Sequence, residues 1–148
     1  MSAGELTWLA ERAAESESIL EIGTYKGRST RAMADHTPGT VTCVDPWVYR
    51  ALRKQGVHRK FLVNMADHLA TGKVTFLRMT SQEAYTHLAE CRFDFIFIDG
   101  NHKYEAVKKD IQLYQGLVRA GGILAGHDYS GGERVCPEVR KAVDELLP

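Results

Sequence analysis

The stretch Phe93-Asp94-Phe95-Ile96-Phe97-Ile98-Asp99-Gly100-Asn101-His102-Lys103-Tyr104 decides how the chain reads. It opens as an apolar run of β-prone residues, breaks at Asp99-Gly100 and turns into a helical pattern from Tyr104. A run this apolar predicts a central strand of a parallel sheet covered on both faces. Open α/β sheets bind their ligands beyond the carboxyl ends of such strands, which is where Asp99 and His102 fall.

On either side of this stretch, short apolar runs alternate with helical patterns. Leu6, Leu9, Ala10 and Ala13 predict an amphipathic helix over about 2–17, ahead of a strand at 18–23 that ends in glycine. After the turn Thr24-Tyr25-Lys26-Gly27 a helix is expected over 28–36, with Ala32 and Met33 inward, stopped by Thr37-Pro38-Gly39. A second strand is expected at 40–45, a helix at 58–70 carrying Phe61, Leu62, Met65 and Leu69 on one face, and a third strand at 74–79. Residues 81–91 read as a helix with Ser81 as its N-cap. Tyr104, Val107, Ile111, Tyr114 and Val118 step by three and four, and Ala120-Gly121-Gly122 is expected to end that helix before a fifth strand at 123–126. A last helix spans 137–147, with Val139, Val143 and Leu146 inward. The alternation predicts one doubly wound α/β domain over residues 1–148.

Composition narrows the function. The chain has 148 residues, 44% hydrophobic and 26% charged, enough for one ordinary globular core. Its 19 basic and 19 acidic side chains balance, which argues against broad nucleic-acid binding. Cys43, Cys91 and Cys136 are odd in number, widely spaced and free of any C-x-x-C pattern, so a reducing cytoplasm is expected and inert thiols are the plainer reading. Neither a signal peptide nor a membrane span is indicated.

Each expected strand delivers polar or glycine residues to the same edge. These are Gly23 to Gly27, then Asp45, then Thr80-Ser81-Gln82, then Asp99 with His102, then His127-Asp128. The first turn fits neither nucleotide-phosphate motif. A dinucleotide fingerprint needs a third glycine, and a P-loop needs four residues between glycines followed by lysine, whereas Gly23 and Gly27 enclose three and Arg28 follows. Asp45 stands 22 residues beyond Gly23, where an acid can accept hydrogen bonds from ribose hydroxyls, although an acid before Pro46 also serves as a plain turn former.

Glu21-Ile22-Gly23-Thr24-Tyr25-Lys26-Gly27-Arg28-Ser29 resembles the first motif of class I S-adenosylmethionine-dependent methyltransferases, in the E-x-G-x-Y-x-G-x-S form of catechol O-methyltransferase-like enzymes. Asp99 to His102 and Gly121 to Tyr129 resemble a bacterial metal-dependent branch that includes macrolide-sugar O-methyltransferases and cephalosporin-biosynthesis relatives. The resemblance covers about residues 18–130 and implies a Rossmann-like, mostly parallel sheet. It implies that Gly23, Tyr25 and Ser29 surround the methionine part of S-adenosylmethionine, with Glu21 bracing the loop and Glu21, Thr24 and Gly27 also counted among the cofactor-binding residues. Asp45 would bind the ribose, and Ser81 and Gln82 would lie beside the adenine. Asp99, His127 and Asp128 would ligate a divalent metal, with Asp99 also close to the cofactor and His102 as general base.

The implied reaction is methyl transfer to a hydroxyl of a small molecule such as a sugar or vicinal diol. A bound cation lowers the hydroxyl pKa, and a histidine titrating near neutrality takes the proton. Relatives offer two carboxylates, or a carboxylate and an amide, where this chain has His127-Asp128. Mg²⁺ is the family expectation, but imidazole suits Mn²⁺, Fe²⁺ or Zn²⁺ better, and His127 is open to reading as a second base or a structural residue. Relatives also add a sixth and seventh strand and a fuller N-terminal lid. The chain stops at Leu147-Pro148, so the resemblance implies the sheet without its last two strands, with an edge that a second copy can cover. Two rival readings stand beside it: a cofactor-binding module without turnover, and a nucleotide-dependent oxidoreductase. Trp47 and Tyr49 are candidates for stacking on an acceptor, and the loops 47–56 and 130–137 for setting its identity.

Overall fold

The computed structural model of the chain describes residues 1–48, 56–129 and 136–147. Helix α1 (Ala3–Ala14) precedes β1 (Ser18–Ile22), α2 (Arg28–Ala34) and β2 (Thr40–Val44). Helices α3 (Val57–Asn64) and α4 (Ala66–Ala70) lead to β3 (Val74–Leu77) and α5 (Ser81–Leu88). The central β4 (Phe93–Ile98) is followed by α6 (Tyr104–Tyr114), a 3₁₀ turn (Gln115–Leu117), β5 (Val118–Gly126) and α7 (Pro137–Leu146).

The five strands form one sheet in the order β3-β2-β1-β4-β5, every pair parallel. From β1 the chain winds outward through β2 and β3, then returns to place β4 on the other side of β1. The strand order therefore reverses between β1 and β4, and a crevice opens beyond Ile22 and Ile98, which pair in register.

Alternation along β4 explains why the opening stretch is apolar throughout. Phe95 and Phe97 join Leu9, Met33, Val41 and Phe61 on the face covered by α1 to α4. Ile96 and Ile98 join Leu20, Val44, Val107, Ile111 and Val139 on the face covered by α5 to α7. Each such side chain contributes roughly 1.5–3 kcal/mol on burial, so both faces favour the central position.

Besides elements that end a few residues short of the expected ranges, three features differ from the sequence expectation. The helix over 58–70 is two helices, interrupted at Met65, whose φ of −111° leaves the helical region while its side chain stays buried. Ser81 is not the N-cap of α5: Thr80 is, through a capping box in which its hydroxyl accepts from Glu83 N and the Glu83 carboxylate accepts from Thr80 N at 2.8 Å. Nor does Gly121-Gly122 end α6. The helix stops at Tyr114, and Val118 already pairs with Phe93 in β5.

Candidate active site

The site is assembled at the crevice. Gly23 follows β1 with a φ of +94°, and its N–H donates to the Val44 carbonyl at 2.8 Å. Directly opposite, Asp99 N donates to Ile22 O at 2.8 Å, so the ends of β1 and β4 are tied together. A cleft of about 890 Å³ opens over this junction, and Gly23, Tyr25, Asp45, Ser81, Gln82, Asp99 and His102 all line it.

Glu21, Thr24, Gly27 and Ser29 do not line the cleft; they stand behind the loop. Glu21 is fully buried and accepts hydrogen bonds from the hydroxyls of Ser29 and Thr30, which fastens β1 to α2. Burial pushes its carboxyl up to about 7, opposed by the Ser29 and Thr30 hydroxyls and reinforced by the nearby Asp99 charge. An acid raised in this way binds more protons folded than unfolded between 4.5 and about 7. Its contribution to stability is present below 4.5 and is lost as the pH rises through about 7. Glu21→Gln should therefore flatten the fall in stability on going from about pH 5 to about pH 8, a slope of up to about 1.4 kcal/mol per pH unit for one proton. Urea unfolding at both pH values reads this, and a Gln variant as pH-sensitive as the parent would contradict it.

Asp45 is 3% exposed, and both of its oxygens are engaged by the loop: Oδ2 accepts from Tyr25 N at 2.8 Å and Oδ1 from Trp47 N at 2.6 Å. Each carboxylate oxygen has two lone-pair directions, so loop bracing and ligand binding are compatible. Trp47 is packing: it is buried, its ring centroid lies 4.8 Å from that of Phe61, and its Nε1 donates to Tyr25 O at 2.7 Å. Tyr49 lies outside the described residues.

Ser81 lines the cleft and donates to Asp110 Oδ1 at 2.5 Å. Asp110 is a cleft residue that sequence reasoning missed. It is 3% exposed and reaches the cleft from α6, with burial pushing its carboxyl up to about 6 against the Ser81 hydroxyl. The signal was available, since an acid sits among Val107, Ile111 and Tyr114 on the buried face of α6.

At the β4 and β5 ends four side chains converge. His102 Nε2 lies 3.4 Å from Asp99 Oδ1 and 3.1 Å from Asp128 Oδ2. His127 Nδ1 lies 3.0 Å from Asp128 Oδ1 and 3.8 Å from Asp99 Oδ1. Asp128 adopts φ +64°, an uncommon conformation for a non-glycine residue that turns its carboxylate into this group. Ligand atoms of Asp99, His127 and Asp128 all fall within 4.8 Å of one another. One ion with bonds of about 2.0–2.6 Å can bridge donors at that spacing, and two carboxylates with an imidazole suit a divalent cation. A second, apolar cavity of about 220 Å³ adjoins this group between β5, α6 and α7 and shares Asp99, His102 and His127 with it.

A doubly wound parallel sheet with a glycine turn, an acid after the second strand and titratable groups at its switch point has the layout in which open α/β sheets bind ligands. A family model described as a methyltransferase domain matches residues 20–129, and the chain belongs to that family. An uncharacterized protein of Acanthamoeba polyphaga mimivirus is 39% identical over 138 residues, covering 88% of this chain, which spans 59% of that relative's length. Among solved structures, the cofactor-bound MTB protein Rv0187 superposes with a TM-score of 0.78 at 21% identity, over 99% of this chain and 68% of that one. The O-methyltransferase TomG from Streptomyces achromogenes, involved in tomaymycin synthesis and solved in complex with SAM, gives 0.76 at 18% identity, over 99% and 69%. These two likenesses establish the fold. Among the described residues no helix is long and apolar enough to cross a membrane.

Proposed function

We propose that the chain is an S-adenosylmethionine-dependent O-methyltransferase acting on a hydroxyl of a small molecule such as a sugar or vicinal diol, with a divalent cation held by Asp99, His127 and Asp128. The observation that carries this reading is the convergence of His102 on Asp99 and Asp128 at the edge of the large cleft, an imidazole beside a cation-type cluster. Family membership and the fold shared with TomG, a SAM-bound O-methyltransferase, support the choice of donor.

S-adenosylmethionine is a consumed substrate that supplies an electrophilic sulfonium methyl. Gly23, Asp45, Ser81 and Gln82 line the cleft, where Gly23 would let the loop approach the methionine part, Asp45 would accept from the ribose, and Ser81 and Gln82 would border the adenine. A bound cation supplies Lewis acidity at the acceptor hydroxyl. His102 takes the hydroxyl proton at an imidazole nitrogen, and its exposed position, 48% of the side chain, leaves a route to solvent for that proton. The acceptor oxygen forms the new C–O bond as the S–C bond breaks, the electron pair staying on sulfur. The adjoining apolar cavity gives room for the acceptor's body. Cys43, Cys91 and Cys136 are all free thiols, in keeping with a cytoplasmic setting.

Calorimetric titration with S-adenosylmethionine, with and without Mg²⁺ or Mn²⁺, followed by a screen of hydroxylated acceptors, tests the reading. One-to-one binding and metal-stimulated methyl transfer are expected. Binding without transfer to any hydroxyl would replace the enzyme by a binding module, and no binding at all would remove the donor. His102→Ala should lower turnover by about 10²- to 10⁴-fold. Its affinity for S-adenosylmethionine should stay within about threefold of the parent.

A further inference from the structure

His127 is held from both sides. Its Nδ1 faces Asp128 and Asp99, as described above, while its Nε2 is buried and makes no hydrogen bond. The carboxylate nearest Nε2 among the described residues belongs to Glu5 of α1, whose Oε1 approaches to 3.2 Å, within ion-pair range and off the hydrogen-bond line. Glu5 is itself anchored. Its other oxygen, Oε2, accepts from Ser2 N in the capping box of α1, and Glu5 N donates to Ser2 Oγ at 3.3 Å. Buried Leu9 and Ala13 fix α1 on the sheet, and Trp8 meets Phe95 edge-on with centroids 6.0 Å apart.

An imidazole ligates through Nδ1 only when that nitrogen's lone pair is free, which puts the proton on Nε2. A buried N–H without an acceptor costs about 1–3 kcal/mol, and a small rotation of the ring or carboxylate brings Glu5 Oε1 onto its line. Ligating histidines commonly give their second N–H to a carboxylate, which fixes the tautomer and makes the ligating nitrogen more basic. A more basic nitrogen strengthens binding of ions that accept imidazole and does little for Mg²⁺, which prefers oxygen.

We propose that Glu5 is a positioning residue for His127, holding the ring with Nδ1 toward Asp99 and Asp128 and biasing the site toward Mn²⁺-, Fe²⁺- or Zn²⁺-type cations over Mg²⁺. The inference rests on the cation reading of the Asp99, His127 and Asp128 cluster given above. It adds a role for the first helix that the strand ends alone do not supply.

The test compares Mn²⁺ and Mg²⁺ titrations of the parent chain, Glu5→Gln, His127→Ala and Ser2→Ala. Nitrogen couplings in the spin-echo spectrum of bound Mn²⁺ provide a readout independent of turnover. The parent should prefer Mn²⁺ and show an imidazole coupling that His127→Ala removes. Glu5→Gln should weaken Mn²⁺ by about 10- to 100-fold and Mg²⁺ by less, shrinking the preference. Ser2→Ala breaks the same helix cap without removing the carboxylate, so it should leave the Mn²⁺-to-Mg²⁺ ratio unchanged. Glu5→Gln with the parent's ratio, or Ser2→Ala with the ratio of Glu5→Gln, overturns the positioning role alone. A parent chain that binds neither ion overturns the cation reading together with it.

Discussion

Gly23→Ala should cost about 3–5 kcal/mol of stability, a large share of what a domain of this size has to lose. Two effects add. The backbone at Gly23 has φ +94°, which an L side chain adopts only with strain. A Cβ there would also lie 2.1 Å from the Asp99 carbonyl oxygen and 2.6 Å from Gly100 Cα. Those are backbone atoms at the end of β4, and Asp99 N is bonded to Ile22 O at 2.8 Å, so no side-chain rotation relieves the overlap. Gly72→Ala separates the two effects, because Gly72 has φ +74° with nothing within 4 Å of the new Cβ. That variant should lose only the conformational contribution, about 1 kcal/mol. Urea midpoints of the two variants decide: a Gly23→Ala midpoint no lower than that of Gly72→Ala would mean that the two strand ends are not in forced contact. Where Gly23→Ala still folds, S-adenosylmethionine binding should be lost, since relief of the overlap parts the strands at the floor of the cleft.

The sheet was legible because its strands are buried on both faces and end in residues that cannot continue a strand. Phe93 to Ile98 has no polar interruption except Asp94, whose carboxylate accepts from Glu17 N and Ser18 N at the start of the neighbouring β1, at 3.0 and 2.9 Å. The end of α6 was not legible. Val118 continues the spacing of Tyr104, Val107, Ile111 and Tyr114, so periodicity assigns it to the helix, while pairing with Phe93 and the ion pair of Arg119 with Asp94 at 2.8 Å draw it into β5. The break at Met65 is hidden for a related reason: the apolar stripe passes from Phe61 to Leu69 without losing phase. For α5 the signal was present, since Thr80 stands three residues before Glu83 and Ser81 does not.

Strand ends also made much of the site legible, because parallel topology brings them to one edge whatever the intervening helices do. Apart from Glu21, expected to brace the loop, sequence could not sort the residues that line the cleft from those that stand behind it. Thr24 and Tyr25 are neighbours, yet Tyr25 lines the cleft while Thr24 is buried away from it, a distinction set by the turn geometry after β1. Glu5 is legible as the capping-box partner of Ser2, but its approach to His127 left no signal. Its part depends on how α1 crosses the sheet to reach the end of β5, about 120 residues later, which no local pattern encodes.

Asp99 is where these lines meet, and Asp99→Asn should produce the largest functional loss. Its side chain borders both the large cleft and the apolar cavity, and Oδ1 faces His102 and His127 together. The amide keeps the shape of the carboxylate but removes its charge, leaving Asp128 as the one anionic ligand of the proposed cation cluster. Changes outside the ligand sphere typically cost 10- to 100-fold in metal affinity, so loss of a charged ligand should exceed about 10²-fold and take methyl transfer with it. Affinity for S-adenosylmethionine should change far less, because Asp45, Ser81 and Gln82 line the cleft without belonging to the cation cluster. A second readout lies inside the fold. The Asp99 charge adds to the upward push on Glu21, so Asp99→Asn should move the pH-dependent loss of stability toward acid, an effect that unfolding at several pH values detects without any substrate. Mn²⁺ and S-adenosylmethionine titrations separate the roles. Equal loss of both affinities in Asp99→Asn would merge the cation and donor sites into one. Undiminished Mn²⁺ affinity would take Asp99 out of the cation cluster and leave it with its place beside His102, 3.4 Å from Nε2.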